Sequence, residues 1–151
     1  MKVLRNWKKV YENDLPSIIT ELKDLVSLPA VIVLTGPVGA GKTTFTKKFV
    51  GESDEVTSPT YSIVNESGKT AHADFYRIES NEDLIHLELD LYLEDKDFFL
   101  VEWGKPFLKP LQRLVSEDFM FYELEISLNE AKLRPGIEAS RNFELNGLEE
   151  G

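Results

Sequence analysis

Ala30-Val31-Ile32-Val33-Leu34-Thr35 opens directly onto Gly36-Pro37-Val38-Gly39-Ala40-Gly41-Lys42-Thr43. The first stretch is short, unbroken and β-branched, and reads as a strand buried on both faces. The second satisfies G-x-x-x-x-G-K-[ST] at every fixed position. Lys42 to Val50 then reads as a helix stopped by Gly51. Glycines in such a turn allow backbone angles that side chains forbid, so the N–H groups of Gly39 to Thr43 can point inward around an anion. The positive end of the helix dipole faces the same spot. Lys42 is placed to reach β and γ phosphates, and the Thr43 hydroxyl to ligate Mg²⁺. A nucleoside triphosphate with magnesium is the expected ligand.

The rest of the chain surrounds this unit with further elements. Leu15, Ile18, Ile19, Leu22, Leu25 and Val26 recur at helical spacing, with Asn13 or Asp14 as cap and Pro16 in the first turn. Tyr61 to Glu66 and Thr70 to Ile78 read as a hairpin around Ser67-Gly68. Ser80 with Asp83 resembles a capping box opening a helix through about Leu93. Asp97 to Trp103 contains a second buried run, Phe98-Phe99-Leu100-Val101. Phe119 to Leu128 and Ile137 to Leu145 alternate apolar and polar across a Pro135-Gly136 turn, as a closing antiparallel pair would. The expected architecture is a three-layer α/β domain of the P-loop NTPase type. Its sheet is mixed, with a parallel centre and antiparallel strands at one side. One domain over residues 1–151 is expected, with 146–151 frayed.

Lys and Arg number 17 against 27 acids, for a net charge of −10. Phosphate backbones are gripped largely by Lys and Arg, so tight direct nucleic-acid binding is not expected. No apolar run approaches the roughly 20 residues of a membrane-spanning helix, and Met1 to Trp7 lacks a signal peptide's apolar region. With no cysteine, disulfides and thiolate metal sites are excluded.

Asp97-Phe98-Phe99-Leu100-Val101-Glu102 has the shape of a strand delivering an acid to a phosphate site. Glu102 is read as the Mg²⁺-side acid; an ordinary polar residue at a strand exit is the plainer alternative. Period-two alternation puts His72, Asp74 and Tyr76 on one face. Asp74 suits orienting or deprotonating an attacking water, or equally a salt bridge to a nearby base. His72 alone reads as a packed, hydrogen-bonded residue, and Trp103 as a core or edge aromatic. Thr57-Ser58-Pro59-Thr60-Tyr61 is either a capped turn or a γ-phosphate-sensing segment.

Gly36 to Thr44, Ser58 to Tyr61, His72-Ala73-Asp74-Phe75-Tyr76-Arg77 and Val101-Glu102-Trp103 together resemble the TsaE (YjeE) family in order and spacing, over about residues 12–141. The resemblance implies a small cytoplasmic ATPase needed to form N6-threonylcarbamoyladenosine at position 37 of ANN-decoding tRNAs. It implies weak intrinsic turnover of ATP to ADP, binding to a TsaB–TsaD heterodimer, and resetting of that complex by hydrolysis. Carried over by position, Gly36, Pro37, Val38, Gly39, Ala40, Gly41, Lys42, Thr43 and Thr44 hold phosphate, while Thr43 and Glu102 hold Mg²⁺. Lys42 and Asp74 are then the catalytic pair, with Asp74 positioning the hydrolytic water. Ser58 and Thr60 respond to nucleotide, and Glu12 and Arg134 match further nucleotide-contacting positions. Glu102-Trp103 is followed by Gly104-Lys105-Pro106 rather than the family's commoner Glu-Trp-Pro, so Lys105 is a nucleotide contact whose role stays open.

Two enzyme rivals fit less well. A small-molecule kinase would be expected to carry an arginine-bearing lid, and a GTPase D-x-x-G and N-K-x-D elements, neither of which the sequence has. A nucleotide-gated binding module with negligible hydrolysis uses the same pocket and is not separated by sequence.

Overall fold

The computed structural model describes residues 2–51, 63–129 and 139–148. The described strands are β1 (Lys2–Val10), β2 (Ala30–Thr35), β3 (Val64–Ser67), β4 (Thr70–Asp74), β5 (Phe98–Glu102), β6 (Met120–Leu128) and β7 (Arg141–Gly147). They form one seven-stranded sheet in the order β1-β7-β6-β2-β5-β4-β3. The helices are α1 (Leu15–Leu25), α2 (Lys42–Val50), α3 (Asn81–His86), α4 (Leu89–Leu93) and α5 (Leu108–Leu114). Among the described residues no helix is long and apolar enough to cross a membrane.

β2 is the axis of the sheet because both of its faces are apolar. Ala30 to Leu34 are at most 1% exposed. Ile32 and Leu34 face a core shared with α1 and α2, together with Leu22, Phe45, Leu100 and Leu124. Val31 and Val33 face the opposite core, with Phe99, Val101, Leu84 and Leu111. These are the three expected layers. Each such fully buried aliphatic side chain contributes about 1.5–3 kcal/mol, enough to anchor the loop that follows.

β2 pairs in parallel with β5 and β6, and β5 with β4. β6, β7 and β1 are joined antiparallel, and β3 pairs antiparallel with β4 at the other margin. The parallel centre is as expected, with antiparallel pairing at both edges. After β2 the chain next enters the sheet on the β5 side, as the β3–β4 pair, whereas from β5 it crosses back beyond β2 to β6. The carboxyl ends of these strands therefore frame a crevice, the usual ligand position in open α/β sheets.

Several elements differ from the sequence reading. β1 was not anticipated, since its residues do not alternate; it is held by tertiary contacts instead. Trp7 Nε1 and an Arg5 guanidinium nitrogen each donate to Glu21 of α1 at 2.8 Å. The helix expected from Ser80 to Leu93 breaks in two, because Glu88 takes a left-handed conformation (φ 53°) that cannot continue a helical ladder. Its cap is as read: Ser80 Oγ accepts the Asp83 N–H at 3.2 Å. β4 stops at Asp74 rather than Ile78, since the Asp74 carboxylate accepts the Tyr76 N–H and turns the chain. α5 was also not read from sequence. Nor do residues 146 and 147 fray. They belong to β7, where Asn146 pairs with Glu123 and Val3 and is 1% exposed.

Candidate nucleotide site

The crevice is built around the loop between β2 and α2. Gly39 (φ 83°) sits third in a turn closed by the Ala40 N–H donating to the Pro37 carbonyl at 3.0 Å. The Ala40 amide, expected among the phosphate donors, is thus committed to the turn in this structure. Val38 stands at the tip, 80% exposed. Gly41 (φ 106°) leads into α2, and a Cβ there would approach the Arg141 Nε to 3.1 Å. The first-turn amides of Lys42, Thr43 and Thr44 are donors that an α-helix leaves without intrahelical acceptors.

Lys42 is only 6% exposed. Its ammonium donates to the Gly36 carbonyl at 2.6 Å and lies 3.8 Å from the centroid of the Trp103 ring, a cation–π contact. Trp103 in turn meets Tyr76 edge-on at 5.4 Å. Sequence reasoning took Trp103 for a core or edge aromatic and missed that it covers the loop lysine.

The structure brings the proposed metal-side residues together. The Thr43 hydroxyl donates to Glu102 Oε1 at 3.0 Å. Asp74 lies directly opposite Glu102 in the parallel register of β4 and β5. Burial pushes the Glu102 carboxyl above the usual range. The Thr43 hydrogen bond pulls it down, the Asp74 charge pushes it up, and the Lys42 charge pulls it down. Among the described residues Asp74 forms no salt bridge, so the ion-pair alternative raised for it finds no partner there. His72 lies on the same face of β4. Burial lowers its imidazole below the ordinary value, and its Nε2 has no hydrogen-bond partner among the described residues.

Beside the loop, a cavity of about 210 Å³ is lined by Val10, Tyr11, Glu12, Leu15, Gly41, Thr44, Arg141 and Phe143. Glu12 is therefore next to the loop, as the resemblance implied, in a 3-10 turn between β1 and α1. Arg141 was missed. Its Nε donates to the Ala40 carbonyl at 2.6 Å and its Nη1 to the Ala139 carbonyl at 3.3 Å. No local pattern marks an arginine at a strand start as a loop contact; only the pairing of β7 with β6 carries it there. Lys105 sits in a 3-10 turn after β5 and pairs with Glu123 of β6 at 3.3 Å. Ser58, Thr60 and Arg134, with the rest of Thr57 to Tyr61, lie outside the described residues.

A family profile for the threonylcarbamoyl adenosine biosynthesis protein TsaE matches residues 10–135. The chain belongs to the TsaE family. Three TsaE relatives, each named a tRNA threonylcarbamoyladenosine biosynthesis protein, illustrate the likeness. That of Bacillus subtilis is 36% identical over 111 residues, covering 69% of this chain and 68% of the relative. That of Haemophilus influenzae is 34% identical, covering 59% of this chain and 63% of the relative. That of Aquifex aeolicus is 37% identical, covering 52% and 65%. Among solved structures, the crystal structure of Bacillus subtilis YdiB superimposes with a TM-score of 0.55 at 25% identity, covering 97% of this chain and 88% of that one. The TsaE assignment spans β2, α2, β4 and β5, the elements that carry Lys42, Thr43, Asp74 and Glu102.

Proposed function

We propose that this chain is a weak, Mg²⁺-dependent ATPase of the cytoplasm. In this reading it serves tRNA threonylcarbamoyladenosine formation by binding a TsaB–TsaD complex and resetting it through ATP hydrolysis. The observation that carries the chemistry is the 3.0 Å contact between the Thr43 hydroxyl and Glu102 at the head of α2. Two carboxylates in register beside that hydroxyl hold a local excess of negative charge, which a hard divalent cation relieves. The donors are all oxygens, and Mg²⁺ is commonly held by one or two carboxylates together with substrate phosphates.

In this reading Lys42 leaves the Gly36 carbonyl to neutralise the β and γ phosphates, while first-turn amides of α2 donate to phosphate oxygens. Thr43 and Glu102 hold Mg²⁺, which when bound neutralises charge on the phosphoryl oxygens. Asp74 orients the attacking water and accepts its proton. Gly41, Thr44, Glu12 and Arg141 border the cavity that takes the nucleoside.

Glu102→Ala is expected to weaken ATP binding measured with Mg²⁺ by about tenfold while changing metal-free binding little. Calorimetry with and without the ion checks it, and equal losses in both would assign Glu102 another role. The cellular assignment is tested by turnover. ATP hydrolysis by the isolated chain should be slow and should rise when TsaB and TsaD are added. A flat rate under conditions where the three proteins assemble would favour the gating module with negligible hydrolysis.

A further inference from the structure

Glu123 is the one buried acid among the described residues, at 5% exposure. It stands on β6 opposite Val33 of β2. Its Oε2 accepts the Thr35 hydroxyl at 3.0 Å and faces the Lys105 ammonium at 3.3 Å. An exposed ion pair contributes little, and Lys105 is 68% exposed. The buried partner changes the balance, because a carboxylate out of water is costly unless a cation or donors answer it.

Both partners of Glu123 are close in sequence to the groups that hold Lys42. Thr35 is followed by Gly36, whose carbonyl accepts the Lys42 ammonium. Lys105 lies two residues after Trp103, whose ring faces the same ammonium. Trp103 has φ 61°, a left-handed conformation that a bulky residue adopts only when its surroundings impose it. Gly104 is wedged so tightly that a Cβ would come within 2.6 Å of Val101 Cγ1. The turn is thus strained at Trp103, confined at Gly104 and tied to β6 at Lys105.

We propose that Glu123 is a positioning residue for the phosphate-binding lysine, holding through Thr35 and through Lys105 the two surfaces between which Lys42 is suspended. The proposal rests on the reading of Lys42 as the phosphate ligand, and it makes Lys105 a brace rather than a nucleotide contact.

The chain has two tryptophans, so in a Trp7→Phe background Trp103 is the sole indole and reports on the turn without any nucleotide. Glu123→Gln keeps the shape and the Thr35 hydrogen bond but removes the charge. Lys105→Met keeps the stem and removes the other charge. Each single variant is expected to raise acrylamide quenching of Trp103 about twofold and to weaken ATP binding about five- to tenfold. The double variant should lose no more than the larger of the two single losses, since a shared interaction is lost only once and glutamine leaves no unanswered buried charge. Unchanged quenching in the single variants, or additive losses in the double, would overturn the proposal. If Glu123→Gln does not fold, Lys105→Met, altered at an exposed side chain, carries the same two readouts. Should the unmodified chain fail to bind ATP, the functional reading falls, while quenching of nucleotide-free protein still decides the brace.

Discussion

Lys42→Ala is expected to lower ATP affinity by about 100-fold or more, since truncating a buried, hydrogen-bonded charge typically costs 2–5 kcal/mol of binding. Isothermal calorimetry in Mg²⁺ measures it. The ammonium is confined between the Gly36 carbonyl and the Trp103 ring, 6% exposed. Little conformational entropy remains for it to lose when it transfers to phosphate oxygens, and the low-exposure surroundings strengthen the attraction. Alanine leaves the Gly36 carbonyl and the indole without their cation but leaves β2 and α2 intact, so cooperative urea unfolding should persist. Unchanged affinity in that folded variant would remove the basis for the nucleotide assignment.

The second large effect is expected on turnover, from Asp74→Asn. General-base assistance is worth roughly 10²–10⁴ in rate, so kcat should fall by about 100-fold or more while ATP affinity stays within about threefold. The substitution isolates chemistry from structure because asparagine still offers an oxygen to the Tyr76 N–H, which Asp74 accepts at 2.9 Å. It also removes one of the two negative charges beside the Thr43 hydroxyl, so the comparison is made at saturating Mg²⁺. Single-turnover measurement with saturating ATP and Mg²⁺ separates the two quantities. A variant that loses affinity and keeps its rate constant would make Asp74 a binding residue instead.

Legibility followed how local the determinants were. α2 runs from Lys42 to Val50 and β2 from Ala30 to Thr35, as read, because each is bounded by residues whose own chemistry starts or stops an element. Gly51 (φ 85°) ends α2 with its N–H on the Lys47 and Lys48 carbonyls. By contrast, the break at Glu88 and the end of β4 at Asp74 depend on one side chain or one backbone angle that no pattern of apolar residues announces. β1 is polar along most of its length, and it becomes a strand because β7 offers an edge and Glu21 accepts two donors.

The candidate site divides the same way. The loop from Gly36 to Thr43 was legible because its pattern sets residue types at fixed spacing on a strand–turn–helix unit, and Asp74 and Glu102 stood out as acids in or after short apolar or alternating runs. Trp103 over Lys42, Arg141 on the Ala40 carbonyl and Glu123 accepting from Thr35 were not, since each pairs groups from segments far apart in the chain. The sequence by itself determined the strand–turn–helix unit around Gly36 to Thr43 and the short apolar strand ending at Glu102, each encoded by residues adjacent in the chain. Only the tertiary structure decided which side chains surround the loop lysine. Strand order, and not separation along the chain, sets which residues become neighbours at the carboxyl edge of a parallel sheet.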